Sequence, residues 1–137
     1  MDYIFELPFK VRDYECDLQG IVNNSVYQNY LEHTRHEFLK HAGLDFSRMH
    51  NEGIDAVVIR VEIDYKFPLK SGDEFVCKLN AGREGSLKFV FHQDIFRLPD
   101  MKLIVKGKIT GTTINNKTGR PIVPEKLAEA IGRYAIG

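Results

Sequence analysis

One change of hydrophobic period divides this chain and limits what it can fold into. From Asn24 to Ala42 the apolar positions fall at helical spacing: Tyr27, Tyr30, Leu31, Thr34, Phe38 and Ala42 occupy one stripe. Gln28, Glu32, His33, His36, Glu37 and Lys40 take the remaining surface, and Gly43 provides a stop. From Val57 onward the period is two, and no further helical pattern intervenes until the C-terminus. Strands that follow one another without helices between them pair antiparallel, so the class is α+β. A single long helix with one apolar stripe needs a curved sheet to wrap it.

The strands are punctuated by turn chemistry. A first strand is expected over about Tyr3 to Glu15, and a loop runs from the end of the helix through Gly53. Val57, Ile59, Val61, Ile63, Tyr65 and Phe67 then alternate with polar residues and predict a half-buried strand that Pro68 ends. Lys70 to Asp73 turns into a strand carrying Phe75, Cys77 and Leu79. Gly82 to Gly85 leads to the next, with Leu87, Phe89 and Phe91, and Leu98 to Asp100 to a last one over Lys102 to Ile114. Pro124 suits the first turn of a short C-terminal helix with Leu127, Ile131 and Tyr134 inward. No repeat, low-complexity tract or linker divides the chain, so residues 1–137 are expected to be one domain.

Composition narrows the function classes. Lys plus Arg and Asp plus Glu each number 19, which lacks the basic excess of a nucleic-acid binder. Cys16 and Cys77 are too few and too isolated for a disulfide framework or a zinc site, and Cys16 reads as a small apolar residue. The N-terminus has no continuous apolar core, and no run approaches the ~20 apolar residues of a membrane span. The expectation is a soluble, reduced, cytoplasmic protein with no cofactor and no metal. His33, His36 and His41 share one helix, but without a carboxylate at a defined motif position they read as solvated or interface residues.

The segment with chemistry in it is DYECDLQGIVNNSVYQNYLEHTR, Asp13 to Arg35. Asp17 stands a few residues ahead of Gly20 and of a helix start near Asn23 and Asn24. A thioester needs no catalytic triad, because its leaving thiol has a pKa near ~8.5. A carboxylate can act as base on water or attack the carbonyl itself. The helix start offers unpaired N–H groups and a partial positive charge where the carbonyl oxygen becomes negative. An aspartate before a helix also reads as a cap for local amides, and the residues alone leave that reading open. Asn23 and Asn24 have the same second reading as caps.

The string D-x-x-G-x-V-N-N-x-x-Y, from Asp17 to Tyr27, resembles the active-site segment of hotdog-fold acyl-CoA thioesterases, the superfamily similar to 4-hydroxybenzoyl-CoA thioesterase. Tyr65-Lys66-Phe67-Pro68 followed by Gly72-Asp73 resembles a second feature of that family, and the likeness covers roughly residues 3 to 115. It implies a hotdog fold, an antiparallel sheet wrapped around one long central helix. It also implies Asp17 as base or nucleophile and the Asn24 amide as oxyanion donor, with Gly20, Val22, Asn23 and Tyr27 forming the substrate site. The implied substrate is an acyl-CoA, with an acyl-carrier-protein thioester as the alternative; a fatty acyl chain suits the Asn-Asn version of the motif. Where this chain has Ile21 and Asn24, other branches carry His. The resemblance further implies a homodimer with the site between subunits, extending to a homotetramer.

Two rival functions share the fold. A hydratase would resemble an H-F-P-x-x-P-x-x-P-G pattern, which nothing here matches. A non-catalytic acyl-CoA-binding protein would not require a carboxylate at the carbonyl, so Asp17 argues for chemistry.

Overall fold

The computed structural model describes residues 2–134. The side chains of residues 133 and 134 lie outside that description, and with them the expected inward position of Tyr134. Five strands form one antiparallel sheet in the order β1-β3-β4-β5-β2: β1 Phe5–Lys10, β2 Ile54–Tyr65, β3 Glu74–Glu84, β4 Lys88–Leu98 and β5 Lys102–Asn115. The helices are α1 Asn24–His41, α2 Phe46–Asn51 and α3 Glu125–Tyr134. This is the α+β hotdog arrangement, with α1 as the long helix against the sheet.

Helix α1 begins and ends where the period changes. Tyr27, Tyr30, Leu31, Thr34, Phe38 and Ala42 are all buried, and Leu39 joins them. The helix meets the sheet through Leu31 and Phe38, both fully buried, against a floor that includes Phe75, Leu79 and Ile109. Phe9, Phe75 and Tyr30 cluster at one end of this layer, with the Phe9 and Phe75 rings parallel at 5.0 Å and Tyr30 tilted against both. Burying one such side chain contributes roughly 1.5–3 kcal/mol. Close approach of α1 depends on Gly107, because a Cβ there would sit 3.1 Å from the Gln93 carbonyl oxygen and 3.2 Å from Leu31 Cδ1.

The opposite face of the sheet is polar. Glu6, Lys78, Asp94, Lys106 and Asp64 stand opposite one another across all five strands, so the charge alternates along one row. Opposite charges facing each other on a sheet are mutually favourable.

Several expectations need correction. The first strand stops at Lys10, because the chain turns through a 3-10 segment, Asp13–Glu15, in which the Glu15 carboxylate accepts the Arg12 amide at 2.8 Å. The loop before Gly53 contains α2, whose Asp45 side chain caps the Arg48 amide at 3.2 Å; six residues are too few to show a period. Strand β2 is not half-buried: it is a sheet edge, with Val58, Ile59, Val61 and Tyr65 exposed by 41–50%. Leu87 belongs to the tight β3–β4 turn, not to the inner face, and is 46% exposed.

Strands β2 and β3 are consecutive in sequence yet lie three places apart in one sheet, so residues 66–73 cross from one side of the sheet to the other. That crossover passes the start of α1. Among the described residues, no helix is long and apolar enough to cross a membrane.

Gly107→Ala is expected to lose about 1–3 kcal/mol of unfolding free energy in urea titration, since its new methyl meets backbone as well as Leu31. Gly82→Ala, which meets nothing within 4 Å, should change stability by less than about 1 kcal/mol.

Candidate active site

Asp17 sits at the tip of a miniature hairpin. Cys16 and Val22 form an antiparallel bridge, the Asp17 amide donates to the Ile21 carbonyl at 2.9 Å, and the Gly20 amide donates to the Asp17 carbonyl at 3.0 Å. Gly20 has φ +80°, a conformation that a side chain resists. The Asp17 Oδ1 accepts the Gln19 amide at 2.8 Å, which fixes the carboxylate while leaving its other oxygen toward solvent. Asp17 is exposed, as are Gly20, Asn23 and Asn24.

The helix start lies directly after this hairpin. Asn23 is the N-cap: its Oδ1 accepts the Ser25 amide at 3.2 Å, and its carbonyl accepts the Val26 amide at 2.9 Å. The Asn23 amide donates to the Glu15 carbonyl at 3.1 Å. Asn24 is the first helical residue, and among the described residues its amide has no protein acceptor. Its carbonyl instead receives the Tyr65 hydroxyl at 3.3 Å, a link from the edge strand to the helix start.

Val22 and Tyr27 are each only 2% exposed, so neither presents a surface for a ligand within this chain. They hold the crossover. The Leu69 amide donates to the Tyr27 hydroxyl at 3.0 Å, and the Leu69 carbonyl accepts the Val22 amide at 2.9 Å. Leu69 is fully buried, and burial pushes the Tyr27 hydroxyl pKa up, opposed by the Leu69 amide. Sequence reasoning missed Leu69, since nothing local marks an apolar residue after a proline as an anchor.

A cavity of ≈ 290 Å³ runs along the other side of α1, lined by residues of β2, β4 and β5 and by Leu127 and Ile131 of α3. Leu31, Leu39, Phe91, Ile109, Leu127 and Ile131 supply its apolar wall. It also contains polar side chains that the sequence did not single out. Arg35 donates to Gln93 Oε1 at 3.0 Å, and the fully buried Gln93 donates to the Leu31 carbonyl at 2.9 Å. Burial pulls the Arg35 pKa down, with Glu32 opposing; burial also lowers His36, whose Nε2 lies 3.7 Å from the Glu32 carboxylate.

Neither cysteine is set up as a nucleophile. Burial pushes Cys77 up to about 11, and burial with the nearby Asp13 and Asp17 raises Cys16. Among the basic residues of the strands and turns, Arg83 donates to the Ser86 carbonyl at 2.8 Å and Lys108 lies 3.9 Å from Glu84. Lys88 stands opposite Glu84, and Lys106 belongs to the charged row on the outer face.

A family model described as the thioesterase-like superfamily matches residues 11–131. The chain belongs to that superfamily. It is similar to an Arabidopsis thaliana protein named acyl-acyl carrier protein thioesterase ATL2, chloroplastic, with 35% identity over 129 residues, 94% of this chain and 69% of that one. It is also similar to the Escherichia coli long-chain acyl-CoA thioesterase FadM, with 27% identity over 116 residues, 85% of this chain and 87% of that one. The crystal structure of Slr0204, a 1,4-dihydroxy-2-naphthoyl-CoA thioesterase from Synechocystis, superimposes with a TM-score of 0.89 at 16% identity, covering 93% and 95% of the two chains. At that identity the likeness speaks for the fold alone.

Tyr27→Phe removes the acceptor of a buried amide and is expected to cost about 1–3 kcal/mol in urea unfolding. Tyr65→Phe loses only an exposed 3.3 Å contact and should stay within about 0.5 kcal/mol of the wild type.

Proposed function

We propose that this chain, acting as one domain, hydrolyses acyl thioesters to the free acid and thiol with Asp17 as the catalytic carboxylate. The observation that carries the proposal is the pairing of an oriented carboxylate with a free helix-start amide. The Gln19 amide holds one Asp17 oxygen, while the Asn24 amide has no protein acceptor among the described residues. The thioester carbonyl oxygen would take that amide. The free Asp17 oxygen would remove a proton from water as the water oxygen bonds to the carbonyl carbon, or would itself attack that carbon. On the first route the C–S bond then breaks, and the thiolate takes that proton and leaves as the thiol. On the second the thiolate leaves first, water hydrolyses the acyl anhydride formed on Asp17, and its protons go to the thiolate and the released acid as the Asp17 carboxylate is restored.

In this scheme Gly20 shapes the hairpin and Asn23 caps the helix beside the carbonyl. Val22 and Tyr27 support the site from beneath through Leu69. The cavity along α1 receives the acyl chain, which fits a fatty acyl group. Relatives named for acyl-carrier-protein and for acyl-CoA substrates support thioesters of either carrier.

We also propose that the edge strand β2 joins a second copy of the chain and that the dimer completes the site. An exposed apolar edge strand is a template for pairing unless it is covered. Val58, Ile59, Val61 and Tyr65 form such an edge here, with exposed Phe67 just beyond it, and Val58 and Val61 also line the acyl cavity. A homotetramer would be a pair of these dimers.

Assayed over a panel of acyl-CoAs from short to long chain, Asp17→Asn should lower kcat by about 10²–10⁴-fold while leaving the urea unfolding curve unchanged. Undiminished hydrolysis by that variant would remove Asp17 from the chemistry. No hydrolysis of any thioester by the wild type, with acyl-CoA still bound, would favour a binding protein. Light scattering at micromolar concentration should give at least twice the 15.8 kDa chain mass, and a monomer would refute the shared site.

A further inference from the structure

The acyl cavity contains a cation that an unsubstituted hydrocarbon cannot satisfy. Arg35 lines the cavity and is half-buried, yet among the described residues no carboxylate lies within 4 Å of its guanidinium. Its hydrogen-bond partner is the neutral Gln93 at 3.0 Å. Glu32, one turn before it, lines the same cavity and acts on Arg35 through its charge, but its carboxylate lies beyond 4 Å of the guanidinium and 3.7 Å from His36. Gln93 is itself fully committed, with its amide nitrogen on the Leu31 carbonyl. Arginine has five N–H donors in a fixed fork, so several remain for an occupant of the cavity. A charge out of water is costly unless an acceptor meets it.

The helix supplies a ruler. The cavity follows α1 from Gln28 to Leu39, and Arg35 lies in its distal half. Eleven residues separate Asn24 from Arg35, about 16 Å along the axis. Side chains on a helix lean back toward its N-terminus, which brings the span to roughly 10–16 Å. An extended chain advances ~1.2 Å per bond, because three backbone bonds cover roughly 3.3–3.6 Å. Arg35 therefore stands some 8–13 bonds, to order of magnitude, from a carbonyl held at the Asn24 amide. The cavity volume of ≈ 290 Å³ is near the lower limit of small-molecule pockets, about 300 Å³, which suits a chain of that medium length.

We propose that Arg35, positioned by Gln93, makes this site selective for medium-chain acyl thioesters that carry an oxygen acceptor at the far end of the chain, an ω-hydroxyl or ω-carboxylate. The inference rests on the thioesterase reading and on the cavity as the acyl site. An occupant with such an oxygen would complete the guanidinium's hydrogen bonds. A plain alkyl chain of the same length would leave the donors not used on Gln93 without an acceptor.

The test compares kcat/KM for C8, C10 and C12 acyl-CoAs in three forms: unsubstituted, ω-hydroxy and ω-carboxy. Wild type should favour one of the oxygenated forms at some length by about 10–100-fold, the usual worth of a hydrogen bond to a charged group. Arg35→Met should abolish that preference, read as the ratio of kcat/KM for the oxygenated chain to that for the unsubstituted chain of the same length, and Arg35→Lys should retain part of it for the carboxylate. The hydroxy and carboxy arms separate a neutral acceptor from an anionic one. A wild type that hydrolyses the unsubstituted chains as well as or better than both oxygenated series overturns the proposal without touching the thioesterase reading, and so does a preference that survives in Arg35→Met. A wild type inactive on every thioester overturns the thioesterase reading and this inference together.

Discussion

The peptide unit at Leu69 is the constraint on which the rest of the site depends. Its amide is held by the Tyr27 hydroxyl and its carbonyl by the Val22 amide, while its side chain is fully buried. Because β2 and β3 occupy distant places in the sheet, the segment between them must cross past the helix start. A buried peptide group left without partners would cost more than the hydrogen bonds themselves supply. The crossover is therefore fixed where Tyr27 and Val22 can reach it, and it in turn fixes the strand that carries Asp17. The site's exposed residues stand on a buried foundation made of the neighbouring ones in the same motif.

This division of labour explains why one short string contains both kinds of residue. Asp17, Gly20, Asn23 and Asn24 face solvent, and Val22 and Tyr27 do not. The Asn23 side chain spends itself on the Ser25 amide, which keeps the helix start ordered while the Asn24 amide stays available. A loop aspartate and a cap are thus compatible with catalysis: the hydrogen bond from Gln19 aims the carboxylate without consuming it.

Much of the fold was legible in the sequence because α1 buries one unbroken stripe and the central strands follow turn residues that need little tertiary help. The start of α1 at Asn24 agrees with the change of period. What the sequence hid was decided at long range. Alternation in β2 implies one buried face, but a strand at the sheet edge leaves Ile59 and Val58 both exposed. Helix α2 is too short to show periodicity. The contact of Arg35 with Gln93 spans 58 positions, and Leu69 meets Tyr27 across 42. In the candidate site, the order of Asp17, Gly20 and the helix start was readable, whereas the roles of Val22 and Tyr27 required knowing what lies beneath them.

The proposed chemistry turns on the Asn24 amide donating to a thioester carbonyl oxygen beside Asp17. The direct measurement is the ¹⁵N–¹H resonance of Asn24 as a ketone analogue of acyl-CoA, with a methylene in place of the sulfur, is titrated into the protein. A new hydrogen bond to the ketone oxygen should move the Asn24 amide proton downfield, with smaller changes at Gln19 and Ser25. If the analogue binds and shifts other resonances while Asn24 stays where it was, the carbonyl is held elsewhere and the proposed site is wrong.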